Sequence, residues 1–503
     1  MALFRQPLPD HRGTVKIVLL ALALLPLLAR AEGVLQIGSK RFTESYVLGQ
    51  ILAQSARATG TAVDYHAGMG NTAILYQALR SGAIDVYPEY TGTIAREILT
   101  SDAPLDLAAL NARLAPLGLQ AGDLLGFDDS YALGMRASEA GRLGIRDISD
   151  LARYPKLRLG FSHEFLGRAD GWPGLKRAYG LPQATPLGID HGLAYEALRR
   201  GEVDVIDLYS TDAKIERYHI AVLADDRHFF PSYQAVLLYR ADAPRRFPAA
   251  FAAFARLAGT IDAQRMVRLN ARAELDHVPF ATVAAEFLGH KVAPQPRGLW
   301  AALFAPDFGR LLVQHLELVL YSLAAAVLAG VPLGILAGKV ARVAQPVLVA
   351  TGLVQTIPAL ALLAFLIPLT GTIGLWPALI ALFLYALLPI VRNTHAGLAQ
   401  TPLGLVQAAR ALGLRPGTIL ARIELPLAAR TILAGVKTSA VINVGTATIA
   451  AFIGAGGFGE RIVQGLALND DTLLLAGALP AAALALAVHA LFELLERALA
   501  RGR

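Results

Sequence analysis

The chain has 503 residues, of which 55% are hydrophobic and 17% are charged, and its mean hydropathy of +0.48 excludes a purely soluble protein. It contains no cysteine, which excludes disulfides and thiolate metal sites. The formal charge of +7 comes largely from Lys and Arg residues that flank apolar runs, a pattern that indicates membrane topology rather than nucleic-acid binding.

The N-terminus carries the pattern of a secretory signal. Lys16 precedes an apolar run at residues 17–28, which is followed by Ala-Arg-Ala at residues 29–31. A basic flank, an apolar run of about a dozen residues and a small-x-small ending are typical of a signal peptide, although the same run could serve as an uncleaved anchor. We therefore assign residues 1–31 to a signal peptide or anchor and expect the following residues to be exported.

Residues 32–293 alternate short apolar runs with helical patterns. VLQIGSK at residues 34–40 predicts a strand, which a helix follows at residues 44–58, and residues 157–162 and 203–209 predict further strands. This alternation indicates an α/β domain with a parallel sheet in each lobe. The segment is longer than one compact core usually allows, so we expect two lobes with a cleft between them.

Five stretches of this segment resemble the binding proteins of osmoprotectant ABC importers. They are GSKRFTESYVLGQILAQ (38–54), YPEYTGT (87–93), GFSHEFLGRADGWPGL (160–175), YSTDAKI (209–215) and DDRHFFPSYQAVLLYR (225–240). Members of that family take up glycine betaine, carnitine, choline and related quaternary amines. The resemblance implies an α/β two-lobed periplasmic-binding-protein fold of type II-like architecture, which lies outside the cytoplasm.

Four tyrosines lie where this family places an aromatic cage: Tyr90, Tyr131, Tyr209 and Tyr233. A quaternary ammonium has no hydrogen to donate, so a site holds it by shape and by cation-π attraction of about 0.5–2 kcal/mol for each ring. Asp129 matches a family position that faces the methyl groups with acceptor oxygens. Each tyrosine alone would be explained as a core or surface residue, but together, each inside a family motif, they predict a cage.

Lys40, Thr93 and Arg168 are the residues that the resemblance predicts as a clamp for the carboxylate of a betaine. Arg offers a planar fork, Lys a point charge and Thr a hydroxyl. Both basic residues follow strand-like runs, where α/β clefts place ligand-binding loops, although solvated surface charges are the simpler alternative. Such a clamp favours zwitterions over choline, and ergothioneine stays an alternative substrate. Because early and middle parts of the chain both contribute, closure of the lobes would complete the site.

Residues 294–310 contain prolines and aromatic residues, which predict a short semi-rigid linker at the membrane surface. Residues 311–503 then form a permease domain with five apolar stretches of span length, at residues 318–338, 347–369, 373–391, 431–453 and 472–491. Five spans after an exported domain place the C-terminus in the cytoplasm. Basic residues follow the first, third and fifth spans, which agrees with this topology. We expect an all-α transmembrane bundle in the bacterial inner membrane.

The predicted cytoplasmic loop at residues 400–428 carries QAARALGLRPGTILARIELP, at residues 407–426. It resembles the EAA loop of ABC importer permeases, which docks into the ATP-binding subunit, although a Gln replaces the usual Glu at its first position. The resemblance assigns docking to Gln407, Ala408, Ala409, Gly413, Leu425 and Pro426. The alanines favour a short helix, Gly413 can end it in a left-handed conformation and Pro416 can start the next. An ordinary amphipathic loop is the alternative.

These patterns identify the chain as a member of the osmoprotectant importers in which receptor and permease are fused. We expect it to bind a quaternary amine, to pair with a second permease copy and to use a separate ATP-binding subunit. No G-x-x-x-x-G-K-[ST] sequence occurs, so we expect no cofactor here, with ATP and Mg²⁺ on that subunit. A membrane-bound ligand sensor would need an output region after the last span. An exported enzyme built on His66, His163, His191 or His219 would need a motif such as HExxH or GxSxG.

Overall fold

The computed structural model describes residues 33–501 apart from 102, 104, 291–297 and 469. The predicted signal segment and the first part of the predicted linker, residues 294–297, lie outside the described residues. An α/β domain comes first and a bundle of apolar helices follows it.

Within the described residues, ten strands form two five-stranded sheets, one in each lobe. In chain order they are β1 (Val34–Gly38), β2 (Ala62–His66), β3 (Val86–Tyr90), β4 (Leu119–Ala121), β5 (Tyr131–Arg136), β6 (Leu159–Ser162), β7 (Leu187–Ile189), β8 (Val205–Tyr209), β9 (Ile220–Leu223) and β10 (Ala235–Arg240). The first lobe has the strand order β2-β1-β3-β10-β4, and the second lobe has β7-β6-β8-β5-β9.

The helices of the α/β domain cover the faces of these sheets. They are α1 (Thr43–Arg57), α2 (Thr72–Arg80), α3 (Thr91–Thr93), α4 (Leu107–Leu114), α5 (Ala137–Leu143), α6 (His163–Gly167), α7 (Trp172–Tyr179), α8 (His191–Arg200), α9 (Lys214–Arg217), α10 (Ala243–Arg246), α11 (Pro248–Ala255), α12 (Ala263–Glu274) and α13 (Phe280–Phe287). A π-helical turn (Ile94–Ile98) continues α3, and 3-10 turns occupy Ala115–Leu117 and Ile148–Arg153.

Both sheets are mixed rather than parallel, so the sequence prediction of parallel sheets is wrong on this point. β10 runs antiparallel to β3 and β4, and β5 runs antiparallel to β8 and β9. The reason is that the chain crosses between the lobes twice, at residues 122–130 and 224–234. The strand that follows each crossing begins at the cleft, where the parallel strands end. It therefore runs in the opposite direction to them. The two crossings pair with each other at Asp128 and Gln234, which is the geometry of a two-segment hinge.

The C-terminal part is helical almost throughout. Its helices are α14 (Leu299–Leu303), α15 (Phe308–Lys339), α16 (Ala341–Thr356), α17 (Ala359–Thr370), α18 (Leu375–Ala399), α19 (Leu403–Ala411), α20 (Pro416–Ile419), α21 (Leu425–Ala447), α22 (Gly459–Leu468) and α23 (Asp471–Arg501). A π-helical turn (Leu420–Glu424) joins α20 to α21, and a 3-10 turn (Thr448–Ile453) follows α21. The second half of the predicted linker contains the end of α14 and the first turn of α15.

Four helical segments among the described residues are long and apolar enough to cross a membrane: Phe308–Lys339, Leu375–Ala399, Pro416–Ile453 and Asp471–Ala498. The predicted second span differs, because α16 and α17 meet at an angle of 102°. Pro358 lacks the amide hydrogen that would continue the helix and holds Ile357 in extended backbone. The described part contains five spans only if this bent pair is counted as one.

Polar side chains connect the spans of the bundle. Lys437 of α21, a charge within the fourth span that the sequence analysis passes over, forms ion pairs with Glu493 and Glu496 of α23. Asn443 of α21 donates to Ser322 of α15 at 2.9 Å. Such bonds favour one packing of the helices, because an unpaired polar group in lipid is costly.

Candidate functional site

The two lobes meet through hydrogen bonds across the cleft. Thr72 of the first lobe donates to Glu164 of the second at 3.0 Å, and Arg168 of the second lobe donates to Thr93 of the first at 3.3 Å. Thr211 of the second lobe lies 2.5 Å from a carboxylate oxygen of Glu44 in the first. The structure is thus a closed conformation, in which residues of both lobes share one interior.

The four predicted cage tyrosines are all buried around this interior. Tyr90 ends β3, Tyr131 begins β5, Tyr209 ends β8 and Tyr233 lies in the second crossing between the lobes. Antiparallel pairing sets Tyr131 opposite Tyr209, with ring centroids 5.1 Å apart, and the ring of Tyr233 is 5.7 Å from that of Tyr131. The fold therefore assembles the aromatic surfaces that a cation-binding cage requires.

Phe42 is an aromatic residue of this interior that the sequence analysis does not assign. Its ring lies 6.3 Å from the ring of Tyr90 and 5.2 Å from that of Tyr209, so it connects tyrosines of different lobes. The signal was present in the sequence, because Phe42 lies two residues after Lys40 within the first family-like stretch. Its distance from the tyrosines along the chain concealed the contact.

The predicted clamp residues lie beside the cage, but both cations have carboxylate partners in this structure. The Lys40 Nζ is 2.6 Å from an oxygen of Glu89, and both side chains are buried. The Arg168 fork donates to both oxygens of Asp170, at 2.7 and 2.5 Å. Burial raises the pKa of Asp170, but the hydrogen bond and positive charge of Arg168, together with the hydrogen bond from Tyr233, outweigh burial and hold that pKa below its usual value. A ligand carboxylate would have to share these cations.

The guanidinium of Arg168 also lies over an aromatic ring of the cage. Its central carbon is 5.4 Å from the centroid of the Tyr131 ring, and the Lys40 Nζ is 5.6 Å from that of Tyr90. Each lobe thus contributes one predicted cation, and each of these cations lies against a different cage tyrosine. Cage and clamp are consequently neighbouring parts of one interior.

Two buried carboxylates, those of Asp129 and Glu44, meet at one hydroxyl group. The Thr211 Oγ1 lies 2.8 Å from Asp129 Oδ1 and 2.5 Å from Glu44 Oε2, while the Tyr90 hydroxyl donates to the other oxygen of Glu44 at 2.5 Å. A threonine hydroxyl has one hydrogen, so it cannot donate to both carboxylates at once. Burial raises the pKa of Glu44 to about 7, and burial together with the charge of Glu44 raises that of Asp129 well above its usual value. Such an interior suits a cationic ligand.

His191 is a further residue of the site, in a role that the sequence analysis did not consider. Its ring centroid lies 4.5 Å from that of Tyr209, and its Nε2 is 3.0 Å from Asp212. Burial alone lowers the pKa of His191, but the carboxylate of Asp212 outweighs burial and raises this pKa to about 9. Asp212 thus holds the His191 ring against the outer face of the cage.

The loop at residues 400–428 has the predicted helix-turn-helix geometry. Gln407, Ala408 and Ala409 lie in α19, and Gly413 adopts a left-handed φ of +77° after it. Pro416 begins α20, and Leu425 and Pro426 begin α21. Leu403 and Leu412 are 77% and 81% exposed on this loop, which is a surface suited to a protein partner. The docking roles of the six predicted residues stay predictions.

Comparison with known proteins gives matches over both parts of the chain. Residues 33–290 match the family described as the substrate binding domain of ABC-type glycine betaine transport system. Residues 330–501 match the binding-protein-dependent transport system inner membrane component.

Two relatives and one solved structure illustrate these matches. The osmoprotectant import permease protein OsmW of Salmonella typhimurium is 43% identical over 187 residues, which cover 36% of this chain and 87% of that protein. The choline transport system permease protein OpuBD of Bacillus subtilis is 41% identical over 194 residues, covering 38% of this chain and 84% of that protein. A crystal structure titled glycine betaine/carnitine/choline ABC transporter is 29% identical, with a TM-score of 0.43, and the match covers 51% of this chain and 97% of that one.

Proposed function

Because this chain belongs to the glycine betaine family of ABC importers, with a substrate-binding domain and a permease domain in one polypeptide, we propose that it binds a quaternary-ammonium osmolyte and passes it to its own permease. It is a multi-pass inner-membrane protein whose substrate-binding domain lies outside the cytoplasm. Both matched families are transport components rather than enzymes. Glycine betaine, choline and carnitine are the substrates we propose.

The aromatic and acidic interior between the lobes is the observation that supports this substrate class. Tyr90, Tyr131, Tyr209 and Tyr233 surround it, and Asp129 and Glu44 supply negative charge beside them. Cation-π attraction is worth about 0.5–2 kcal/mol at each ring and is strongest where water is excluded. A trimethylammonium group gains from all of these surfaces, whereas a neutral amino acid gains little from them.

The carboxylate of a zwitterionic ligand would lie near Arg168, Thr93 and Lys40. Arg168 already donates across the cleft to Thr93, so an anion at this point would join the two lobes. Glu89 and Asp170 hold the two cations in place, at 2.6 and 2.5 Å. Choline lacks a carboxylate and would leave these pairs undisturbed.

Transport by this chain would require an ATP-binding partner, on which ATP and Mg²⁺ would be bound. We assign docking of that partner to the loop that contains Gln407, Ala408, Ala409, Gly413, Leu425 and Pro426. Exposed Leu403 and Leu412 lie on the same loop and would supply apolar contact. We also propose that two copies of the permease domain pair around one translocation path.

The two alternative functions, a membrane-bound ligand sensor and an importer of ergothioneine, are not favoured. The relatives compared above are permeases of choline and osmoprotectant import, which supports import rather than the signalling output of a membrane-bound sensor. They also support the common osmolytes over ergothioneine. Ergothioneine is therefore titrated only for comparison.

Calorimetric titration of the full chain in detergent tests the proposed function. Glycine betaine, carnitine, choline, ergothioneine and alanine are titrated into the wild type and into the Tyr209→Leu, Arg168→Ala and Tyr218→Leu variants. We expect the quaternary amines to bind and alanine not to bind, with a loss of about tenfold in affinity for Tyr209→Leu. Tyr218→Leu is the matched control, because Tyr218 packs against Tyr195 outside the cage.

The Arg168→Ala variant separates the two ligand classes. If the clamp holds a carboxylate, this variant loses affinity for glycine betaine and carnitine but retains choline. Equal losses for all three ligands would contradict the clamp. An absence of binding by every quaternary amine in the wild type would overturn the proposed substrate class.

A further inference from the structure

A single hydroxyl group connects two buried carboxylates beside the cage. The Thr211 Oγ1 lies 2.5 Å from Glu44 Oε2 and 2.8 Å from Asp129 Oδ1, and both distances are normal for an O–H···O hydrogen bond. Glu44 lies in the first turn of α1 in the first lobe, Asp129 lies in the first crossing, and Thr211 follows β8 in the second lobe. The two carboxylates, which we call the carboxylate pair, are therefore linked across the cleft.

The link between the carboxylate pair needs one hydrogen more than Thr211 supplies. A threonine hydroxyl has one hydrogen, so it donates to one carboxylate and leaves its contact with the other without a hydrogen. The Tyr90 hydroxyl donates to the far oxygen of Glu44 at 2.5 Å, and the Asn270 amide reaches Glu44 Oε2 only at 3.4 Å. One proton on Glu44 completes the link, because Glu44 then donates to Thr211 and Thr211 donates to Asp129.

The carboxylate pair has no basic partner among the residues that the structure describes. Glu44 and Asp129 line one cavity together with Tyr209 of the cage, and neither forms an ion pair with a described Lys, Arg or His. The two other acids that line this cavity each have a basic partner. These pairs are Asp212 with His191 at 3.0 Å and Glu274 with Lys214 at 3.7 Å. Glu44 and Asp129 are therefore the acids that a bound cation can neutralise.

Charged and titratable groups of several elements surround the carboxylate pair. They are Lys40 and Arg41 between β1 and α1, Glu89 and Tyr90 of β3, His191 of α8, Tyr209 of β8, Asp212 after it, Lys214 of α9 and Glu274 of α12. Lys40 pairs with Glu89 at 2.6 Å, and the guanidinium carbon of Arg41 lies 4.6 Å from the ring centroid of Phe452. The nearby bases therefore have other partners.

A proton and a quaternary ammonium are alternative ways to neutralise the carboxylate pair. Burial raises the pKa of Glu44 to about 7, so in the folded chain this carboxyl keeps its proton below neutral pH. A quaternary ammonium in the cage brings a positive charge but no hydrogen, so it favours the ionised form of both acids. Binding of the cation and binding of the proton therefore oppose each other.

We propose that the ligand-free site holds one proton between Glu44 and Asp129, and that a bound quaternary amine displaces this proton. The proton leaves the Glu44 carboxyl and passes to a buffer base, and the charge of the ammonium takes its place. Glu44 is thus a second anionic group of the cation site, beside Asp129. This inference rests on the proposed function, because it takes a quaternary amine as the ligand. Acid weakens binding, by up to about tenfold for each pH unit below about 7.

Calorimetric titration of the full chain in detergent can count the displaced proton. Choline and glycine betaine are each titrated at about pH 6 and about pH 8.5, where neither ligand gains or loses a proton of its own. Each titration is repeated in two buffers of different ionisation enthalpy, so the difference in binding enthalpy gives the number of protons released. We expect about one proton per ligand at the lower pH and almost none at the higher pH, where affinity should be about tenfold greater.

Amide variants identify the group that holds the proton. Glu44→Gln has no proton to release, so its affinity should be the same at both pH values and its enthalpy should not depend on the buffer. Asp129→Asn removes the repulsion and leaves the Thr211 hydroxyl to Glu44 alone, so proton release should fall by about half or more. Glu202→Gln is the matched control, because Glu202 is exposed on the same domain, and it should behave as the wild type.

The outcomes separate this proposal from the proposed function. If neither amine binds to the wild type at either pH, the proposed function is wrong. If an amine binds with equal affinity at both pH values and releases no proton at about pH 6, the shared proton does not exist, while the proposed function stands. If Glu44→Gln releases as much proton as Glu202→Gln, the proton belongs to another group and the role assigned to Glu44 is wrong.

Discussion

At the scale of single residues, the electrostatics of the site depend on one hydroxyl group, that of Thr211, which Glu44 and Asp129 share. Thr211 can donate to only one of the two carboxylates, so the other is stable there when it carries a proton or faces a cation. Two buried carboxylates this close cannot both ionise without a large cost. A bound quaternary ammonium would relieve that cost, which links ligand charge to the acidity of the site.

We predict that Glu44→Gln stabilises the protein at alkaline pH and has little effect at acid pH. The pKa of Glu44 is about 7 in the folded chain against an ordinary 4.5, so the folded state holds this proton more tightly than the unfolded state does. Stability is therefore lost as the pH rises from about 4.5 to about 7, by roughly 3 kcal/mol. Glutamine resembles the protonated acid and avoids this loss.

Thermal unfolding of the full chain in detergent, at about pH 5 and about pH 8, measures the effect of Glu44→Gln. The Tm difference between variant and wild type should be larger at the higher pH. Glu202→Gln is the control, because Glu202 is exposed on the same domain. The same Tm difference at both pH values would contradict a raised pKa for Glu44.

The turn between α19 and α20 is the element on which the cytoplasmic loop depends. Gly413 closes it by donating its N–H to the carbonyl of Arg410 at 2.9 Å, in a left-handed conformation that other residues adopt at a cost of about 1–2 kcal/mol. Glu424, which follows this unit, pairs with Lys339 at the end of α15. This ion pair connects the loop to the first span, so a displacement of the loop would be transmitted to the helical bundle.

We predict that Gly413→Ala weakens coupling to the ATP-binding subunit without affecting ligand binding. The strained turn should lower partner occupancy by about fivefold or more. Co-purification of the ATP-binding subunit and ligand-stimulated ATP turnover in liposomes measure the loss, and calorimetry checks ligand affinity. Gly417→Ala lies in α20 with nothing within 4 Å of its Cβ position, and it should retain full coupling. Equal behaviour of the two variants would argue against the turn as the docking element.

Fusion of receptor and permease is the main property at the scale of the whole molecule. A receptor that belongs to the same chain stays near its permease at high effective concentration, so docking does not require diffusion of a free receptor. The permease domain meanwhile keeps apolar outer faces on which Phe365, Leu369 and Leu486 are largely exposed. Lipid would cover part of these faces, and the proposed second copy would cover the rest.

We predict that the detergent-extracted protein is a dimer. Light scattering combined with size-exclusion chromatography should give a protein mass of twice the 53.3 kDa of one chain. Tyr209→Leu should leave this mass unchanged, because it alters the receptor and not the bundle. A mass of one chain in a preparation that binds ligand and stimulates its ATP-binding subunit would contradict pairing of two permeases.

Local patterns in the sequence by themselves determined the two-part architecture, the positions of most apolar helices and the turn at Gly413. Each of these depends on neighbouring residues, such as a run of apolar side chains or a glycine that can take a positive φ. The family-like motifs also singled out the four tyrosines that the fold gathers around one interior. Pro358 was visible as well, but the sequence does not state the angle of 102° between the two helices that it separates.

Only the tertiary structure decided how charges and rings pair within the site. Lys40 meets Glu89, Thr211 meets both Glu44 and Asp129, and Phe42 connects Tyr90 to Tyr209. Lys40 and Glu89 lie 49 residues apart in the chain and Glu44 and Thr211 lie 167 residues apart, so no local pattern relates them. Lys40 and Glu89 meet because β1 and β3 are neighbours in one sheet, whereas Glu44 and Thr211 meet because two crossings of the chain create two lobes whose closure removes water from between them.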